Sequence, residues 1–165
     1  MLVCAMNPCK CGWYGHPSGR CRCSENDVRR YQSRISGPLL DRIDLRVQVR
    51  QLSENELLKA PDGESSAVIR ARVTAARELQ QARYQGTGIL CNSQLTPKML
   101  QRFCAPTSGG ENLLREAIGR FKLSPRAYSR ILKVARTIAD LAGSERIGDE
   151  HLFEAINYRK VDLES

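Results

Sequence analysis

The chain has 165 residues, of which 41% are apolar, so it can bury a hydrophobic core in one domain of ordinary size or in two small ones. No apolar run approaches the roughly eighteen residues that cross a membrane as a helix, which argues against a membrane protein. The net charge of +8 favours contact with polyanions, such as a nucleic-acid backbone or the phosphates of a nucleotide.

Two short segments have the patterns of β-strands. Residues 1–5, MLVCA, form a continuous apolar run that ends at the turn signal Asn7-Pro8, which predicts a buried strand of a parallel sheet. Residues 44–49 alternate between apolar and polar side chains, which predicts a second strand. Two short strands do not form a stable sheet by themselves. We therefore expect the chain to be the end of a larger α/β domain.

Four of the seven cysteines lie within fifteen residues as two Cys-x-Cys pairs, Cys9 with Cys11 and Cys21 with Cys23. Four thiolates form a soft, tetrahedral ligand set that suits zinc, and His16 could replace one of the sulfurs. Four protein ligands leave no open coordination position. The ion would therefore brace the loop and take no part in catalysis.

The alternative is that these cysteines are free or disulfide-paired thiols without a metal. No secretory signal with basic, apolar and small-residue regions precedes them, because Met1 is followed directly by apolar residues. In a reducing cytoplasm, closely spaced cysteines are more often metal ligands than disulfides. We therefore predict a structural zinc site in a cytoplasmic protein.

Most of the positive charge surrounds the cysteines. Residues 1–50 contain nine Lys and Arg against four Asp and Glu, whereas residues 51–165 contain seventeen against fourteen. Trp13 and Tyr14 lie on the cysteine loop between basic residues, where a base-stacking contact with nucleic acid is possible. Packing of Trp13 against the loop, as a miniature core, is the interpretation we prefer.

Helical patterns dominate the rest of the chain. A helix is predicted over residues 25–35, ended by Ser36-Gly37-Pro38, and residues 51–64 are polar with a Pro-Asp-Gly turn that indicates a linker. A long helix is predicted over residues 66–85, before two closely spaced glycines. The remainder predicts a small bundle of four helices, which start near Thr96, Ser108, Ser124 and Asp149.

Three motif blocks occur in order along the chain: AMNPCxCG with its second Cys-x-Cys pair, RRYxSRISGPLLDRIDL, and LSxRAYxRILKVARTIADL. Together they resemble the magnesium-chelatase-like AAA+ ATPases of the ComM/YifB type, which are bacterial competence-related proteins. The resemblance covers most of this chain but only the final part of the family's sequence. It implies a mainly α fold with a small α/β remnant: the end of an AAA+ αβα core with a four-cysteine loop at 9–23 (residues 1–50), a linker with a long helix (51–92), and a C-terminal helical lid domain (93–165).

The resemblance also implies an activity, that of an ATP-dependent ring of six identical subunits. Members similar to ComM act on DNA as helicases that promote branch migration during recombination of transforming DNA. Asn7 resembles the sensor-1 residue, whose amide orients the water that attacks the γ-phosphate. Arg42 resembles the arginine finger that enters a neighbouring subunit's nucleotide site, and Arg126 resembles the sensor-2 arginine that ties lid position to the nucleotide. Without the resemblance, Asn7-Pro8 reads as a simple turn, and Arg42 as a structural partner of Asp41 or Asp44.

Two motifs that ATP hydrolysis requires do not occur in the sequence, namely a Gly-x-x-x-x-Gly-Lys-Ser/Thr loop and an acidic Walker-B strand. We therefore expect that this chain alone does not hydrolyse ATP, and that ATP and magnesium belong to a full-length parent. Two alternatives stay open at this point: a freestanding, zinc-braced nucleic-acid-binding module, and the motor subunit of a metal chelatase.

Overall fold

A computed structural model describes residues 1–50, 52, 54–59 and 63–160. The fold is mainly α, as predicted, and its contacts group the described residues into two compact units, Met1–Ile43 and Asp44–Lys160. Among the described residues, no helix combines the length and the apolar character that spanning a membrane requires.

The first unit contains the helices α1 (Glu25–Gln32) and α2 (Gly37–Leu40). Helix α1 starts with a reciprocal cap, because the Ser24 hydroxyl accepts from the Asp27 amide and the Asp27 carboxylate accepts from the Ser24 amide. It ends earlier than the predicted residue 35. The Ser36-Gly37-Pro38 sequence, predicted to end a helix, instead begins α2, because Ser36 caps the Leu39 amide and proline suits a first helical turn.

The predicted strands over residues 1–5 and 44–49 are not formed. Outside the helices, the described residues contain a single isolated parallel bridge, between Pro106 and Ile147. The apolar side chains of both segments are exposed, for example Val3 at 80% and Val49 at 88%. A strand requires a neighbouring strand to satisfy its backbone groups and to cover its side chains. No such neighbour is available within the described residues, so the patterns alone could not produce a sheet.

The second unit is a helical bundle. Its helices are α3 (Glu54–Lys59), α4 (Ser66–Arg83), α5 (Pro97–Phe103), α6 (Ser108–Phe121), α7 (Pro125–Leu141) and α8 (Asp149–Lys160), with one 3-10 turn at Asn92–Gln94. Helix α7 is central, since it packs against α4, α5, α8 and the 3-10 turn. Its residues Ile131, Leu132 and Ala135 are buried in the core together with Leu114 of α6 and Leu152 of α8.

Side-chain caps fix the helix starts of the bundle. Thr96 caps α5 and Ser124 caps α7, as the sequence predicted. Helix α6 is capped by Thr107 and not by Ser108, since the Thr107 hydroxyl accepts from the Gly110 amide at 3.2 Å. The Thr107 hydroxyl also donates to Asp149, the first residue of α8, at 2.7 Å. The two helix starts are therefore linked.

A buried polar network around Asp140 fixes α4 against α7. The Asp140 carboxylate, whose side chain is 0% exposed, accepts two bonds from Arg83 at 2.5 and 3.0 Å and one from Arg136 at 3.0 Å. Asn92 in the 3-10 turn also donates to Asp140, at 2.8 Å. The remaining Arg136 N–H groups donate to two backbone carbonyls beyond the end of α7. Because each charged group is paired and hydrogen-bonded, these interactions offset the desolvation free energy that burial of the network costs.

Candidate metal centre

The cysteine loop is folded by a series of tight turns. The Gly12 amide donates to the Cys9 carbonyl at 3.0 Å, and Gly12 has a left-handed backbone with φ of 81°, which glycine adopts without strain. Two further turns follow, in which His16 donates to the Trp13 carbonyl and Gly19 donates to the His16 carbonyl. These turns fold the chain back, so the second cysteine pair reaches the first.

The four predicted ligands lie together: the sulfur atoms of Cys9, Cys11, Cys21 and Cys23 are all within 4.8 Å of one another. The distances are 3.3 Å for Cys9–Cys11, 3.4 Å for Cys11–Cys23, 3.7 Å for Cys11–Cys21 and 3.9 Å for Cys9–Cys21. All four are free thiols. Tetrahedral zinc with Zn–S bonds of about 2.3 Å separates its sulfurs by about 3.8 Å, so this cluster can hold a metal ion.

His16 lies outside the cluster, although the sequence allowed it as a substitute ligand. Its Nδ1 atom lies 2.6 Å from the Ser18 hydroxyl and accepts from the Ser18 amide at 3.0 Å. Its ring meets the Trp13 ring edge to face, with the centroids 5.1 Å apart. His16 therefore supports the fold of the loop.

Hydrogen bonds polarise the thiols of the cluster. The backbone amides of Trp13 and Arg22 lower the pKa of Cys11 to about 6, because they stabilise its thiolate. The pKa of Cys23 is raised to about 12, because its thiol donates to the Cys11 sulfur. One member of the cluster is thus prepared as a thiolate, the form that binds metals.

Helix α1 stabilises the cysteine loop through two side-chain contacts. Lys10, between the first two ligands, forms an ion pair with Asp27 at 2.8 Å, and this contact lowers the pKa of Asp27 to about 2. Gln32 donates to the Pro8 carbonyl at 3.1 Å. Neither contact can be predicted from the sequence, in which only the Ser24-x-x-Asp27 capping spacing of α1 is recognisable. The segment from Pro8 to Lys10 is therefore attached to α1 at two points.

Asn7, the predicted sensor-1 residue, lies at the start of this loop. It is exposed and lies two residues before Cys9. Its carboxamide packs near the Gly12 backbone, since a Cβ atom built on Gly12 would lie 3.9 Å from the Asn7 side chain. The cluster and Asn7 are therefore parts of one local structure.

The two predicted nucleotide-site arginines are exposed. Arg42 follows α2, and its Nη1 atom donates to the Pro38 carbonyl at 3.0 Å. Asp44, one of its proposed structural partners, forms an ion pair with Arg130. Arg126 is the second residue of α7. Asn7 and Arg42 belong to the first unit and Arg126 to the second, and the roles of all three stay predictions.

Comparison with known proteins matches nearly the whole chain to one family. Residues 1–57 match the family described as magnesium chelatase, subunit ChlI, and residues 63–159 match magnesium chelatase, subunit ChlI C-terminal. The competence protein ComM of Haemophilus influenzae is 42% identical over 161 residues, which cover 97% of this chain and 30% of ComM. The uncharacterized protein YifB is 40% identical in Escherichia coli and 38% in Salmonella typhimurium, each over 162 residues that cover 98% of this chain and 31% of the relative.

The chain thus spans about 30% of the length of these relatives. The two family matches follow each other in the order that the motif blocks indicate, and they include both the cysteine cluster and the helical bundle. The chain belongs to the magnesium chelatase subunit ChlI family, with ComM and YifB as relatives.

Proposed function

We propose that this chain is the carboxy-terminal part of a cytoplasmic, ATP-driven ring motor that acts on DNA as a helicase and promotes branch migration during recombination of transforming DNA. The observation that carries the proposal is the 42% identity to a competence protein over 97% of the chain. The ordered motif blocks and the mainly α fold support it. Magnesium-bound ATP supplies the transferable γ-phosphoryl group. This chain would supply side chains that act at that phosphoryl group.

Three exposed side chains would work on the nucleotide. Asn7 has a carboxamide that can accept from and donate to the attacking water, and its loop is fixed by α1. Arg42 is exposed next to a short helix, where it can reach the nucleotide of a neighbouring identical subunit and stabilise charge on the transferring group. Arg126 is placed at the start of α7, the central helix of the bundle, so a contact between Arg126 and phosphate would position the bundle.

The cysteine cluster would hold one structural zinc ion. The four sulfurs have the number, the chemical type and the spacing of a closed tetrahedral site. The ion would connect Cys9 and Cys11, next to Asn7, with Cys21 and Cys23, next to α1. We propose that zinc keeps the Asn7 loop in one conformation during turnover.

Substitution of Arg42 by alanine in the full-length parent tests the arginine finger. We expect ATP turnover to fall by about a thousandfold or more, because a finger arginine contributes that much to kcat. Arg102→Ala is the control, since Arg102 is an exposed arginine on α5 that stacks on Phe103. Undiminished turnover by the Arg42 variant would remove the finger assignment.

A second candidate is the motor subunit of a metal chelatase, which the printed description of the matching family favours. The fold and the residue roles would be unchanged, but the motor would act on a protein that inserts a metal. An ATPase assay of the full-length parent with and without DNA separates the two candidates. Stimulation by DNA supports the DNA motor, and turnover that is insensitive to DNA supports the chelatase.

A further inference from the structure

The cysteine loop presents one aromatic ring in a fixed position at its surface. Trp13 is half-buried, and its ring and the His16 ring meet in a T-shaped contact with their centroids 5.1 Å apart. The Arg20 guanidinium lies over the Trp13 ring, 5.1 Å from its centroid, in a cation–π contact. An aromatic ring and a guanidinium group are therefore already in contact in a loop that tight turns hold in place.

The segment that carries this ring, residues 9–34, has an excess of positive charge. Residues 9–34 contain six Lys and Arg but only two carboxylates, Glu25 and Asp27. Both carboxylates are engaged, Asp27 by Lys10 and Glu25 by Arg29. The other four arginines are exposed, and none forms an ion pair with a described residue: Arg20, Arg22, Arg30 and Arg34. These charges are available for an anionic partner.

The Trp13–Arg20 contact and the arginines without an ion-pair partner together limit the class of ligand. A simple anion requires the charges alone, whereas a nucleic acid presents phosphates together with base faces that stack on aromatic rings and guanidinium planes. In a duplex the base faces are already covered by neighbouring bases. The partly exposed Trp13 ring and the Arg20 guanidinium therefore favour unpaired bases, and a loop held by tight turns loses little conformational entropy on binding.

We propose that the surface formed by Trp13, Arg20 and Arg22, here named the stacking surface, binds single-stranded nucleic acid. One unpaired base stacks on the Trp13–Arg20 pair, and the arginines contact the flanking phosphates without reading the sequence. The inference deepens the proposed function, on which its biological meaning rests, because it assigns the contact with DNA to a defined surface. Its test does not depend on ATP turnover.

The test uses intrinsic fluorescence, since Trp13 is the only tryptophan in the chain. A twelve-residue oligothymidylate is titrated into the zinc-loaded chain at about 50 and about 200 mM salt. We expect saturable quenching of Trp13 at the lower salt concentration. The affinity should fall by roughly tenfold at the higher concentration, as expected for contacts with a few phosphates. Absence of binding at low salt would overturn the proposal.

Variants locate the contact. Trp13→Ala and Arg20→Ala should each weaken binding of a fluorescently labelled oligonucleotide by roughly five- to a hundredfold, the range found when a stacking partner is removed. Arg102→Ala is the matched control, because it removes a cation–π contact of the same type, at 4.8 Å from the Phe103 ring, in the second unit. The Arg102 variant should bind the oligonucleotide with the same affinity as the unsubstituted chain.

Zinc content and circular dichroism establish that each variant is folded. If Trp13→Ala is not folded, the double variant Arg20→Ala/Arg22→Ala takes its place. Unchanged binding by the folded variants would overturn the proposal. Equal affinity and quenching with a duplex of the same length, or with dextran sulfate, would also overturn it, because either result would indicate a simple anion-binding patch.

The same variants separate this inference from the proposed function. In the full-length parent, Arg20→Ala should reduce the stimulation of ATP turnover by single-stranded DNA. Oligonucleotide binding at the stacking surface without any DNA-stimulated turnover would support the surface and reject the DNA motor. DNA-stimulated turnover that is indifferent to Arg20 and Trp13 would support the motor and reject the surface.

Discussion

Cys11 is the residue on which the metal cluster depends most directly. Its sulfur lies within 3.7 Å of each of the other three sulfurs, and two backbone amides hold it toward the thiolate form. We predict that Cys11→Ser lowers the zinc content from about one equivalent per chain to less than half, because a closed four-thiolate site does not tolerate the loss of a ligand. Mass spectrometry of the gently purified protein measures this content.

Cys91→Ser is the matched control, since Cys91 is a half-buried thiol outside the cluster that contacts Ser93. The Cys91 variant should retain the zinc content of the unsubstituted chain. Less than half an equivalent of zinc in the unsubstituted chain itself would contradict the proposal of a structural zinc site.

Asn7 provides a second prediction at the residue scale. Asn7→Ala in the full-length parent should lower kcat for ATP hydrolysis by about a hundredfold, with little change in ATP affinity. The reason is that orienting the attacking water affects the transition state and not the bound nucleotide. Steady-state kinetics and nucleotide titration measure the two quantities. A large loss of ATP affinity with kcat unchanged would contradict a water-orienting role.

Residue by residue, the sequence predicted the cysteine cluster but not its supports. Cys-x-Cys pairs have a spacing that indicates a shared ligand, and the structure brings all four sulfurs together. The Lys10–Asp27 pair and the Arg20–Trp13 contact depend on the path of the loop, which spacing does not reveal. The roles of Asn7, Arg42 and Arg126 rest on a family resemblance and stay predictions.

At the scale of elements, the pairing of α4 with α7 through Asp140 sets the stability of the bundle. We predict that Asp140→Asn destabilises the second unit by about 3–5 kcal/mol, because it removes the charge that compensates the buried Arg136 and the largely buried Arg83. Urea denaturation monitored by circular dichroism measures the change in the free energy of unfolding.

Glu78→Gln is the control, since Glu78 is exposed on α4 and its substitution should change stability by less than about 0.5 kcal/mol. An Asp140→Asn variant with the same free energy of unfolding as the unsubstituted chain would indicate that the buried network does not contribute to stability.

Helix prediction succeeded because its signals are local. Periodic apolar residues and capping side chains predicted α5 to α8 from the sequence, with small errors such as the cap of α6, which is Thr107. Strand prediction failed because a strand depends on a partner elsewhere in the chain. The same limit applies to Asp140, whose partners Arg83 and Asn92 are far away in sequence.

At the scale of the whole molecule, the account requires more than one chain. The identity to ComM covers 97% of this chain but 30% of ComM, so the complete activity is a property we propose for a longer parent. In that parent, Asn7 would act on the nucleotide of its own subunit and Arg42 on that of a neighbour. This division of roles predicts complementation between two strongly impaired variants.

The most direct test of the account is ATP turnover by rings assembled from a mixture of full-length Asn7→Ala and Arg42→Ala subunits. Each variant alone should hydrolyse ATP at least about a hundredfold more slowly than the unsubstituted protein. In the mixture, a nucleotide site with Asn7 from an Arg42→Ala subunit receives Arg42 from an adjacent Asn7→Ala subunit, so we predict turnover well above that of either variant alone. A mixture no more active than its components, in rings that demonstrably contain both subunits, would contradict the account.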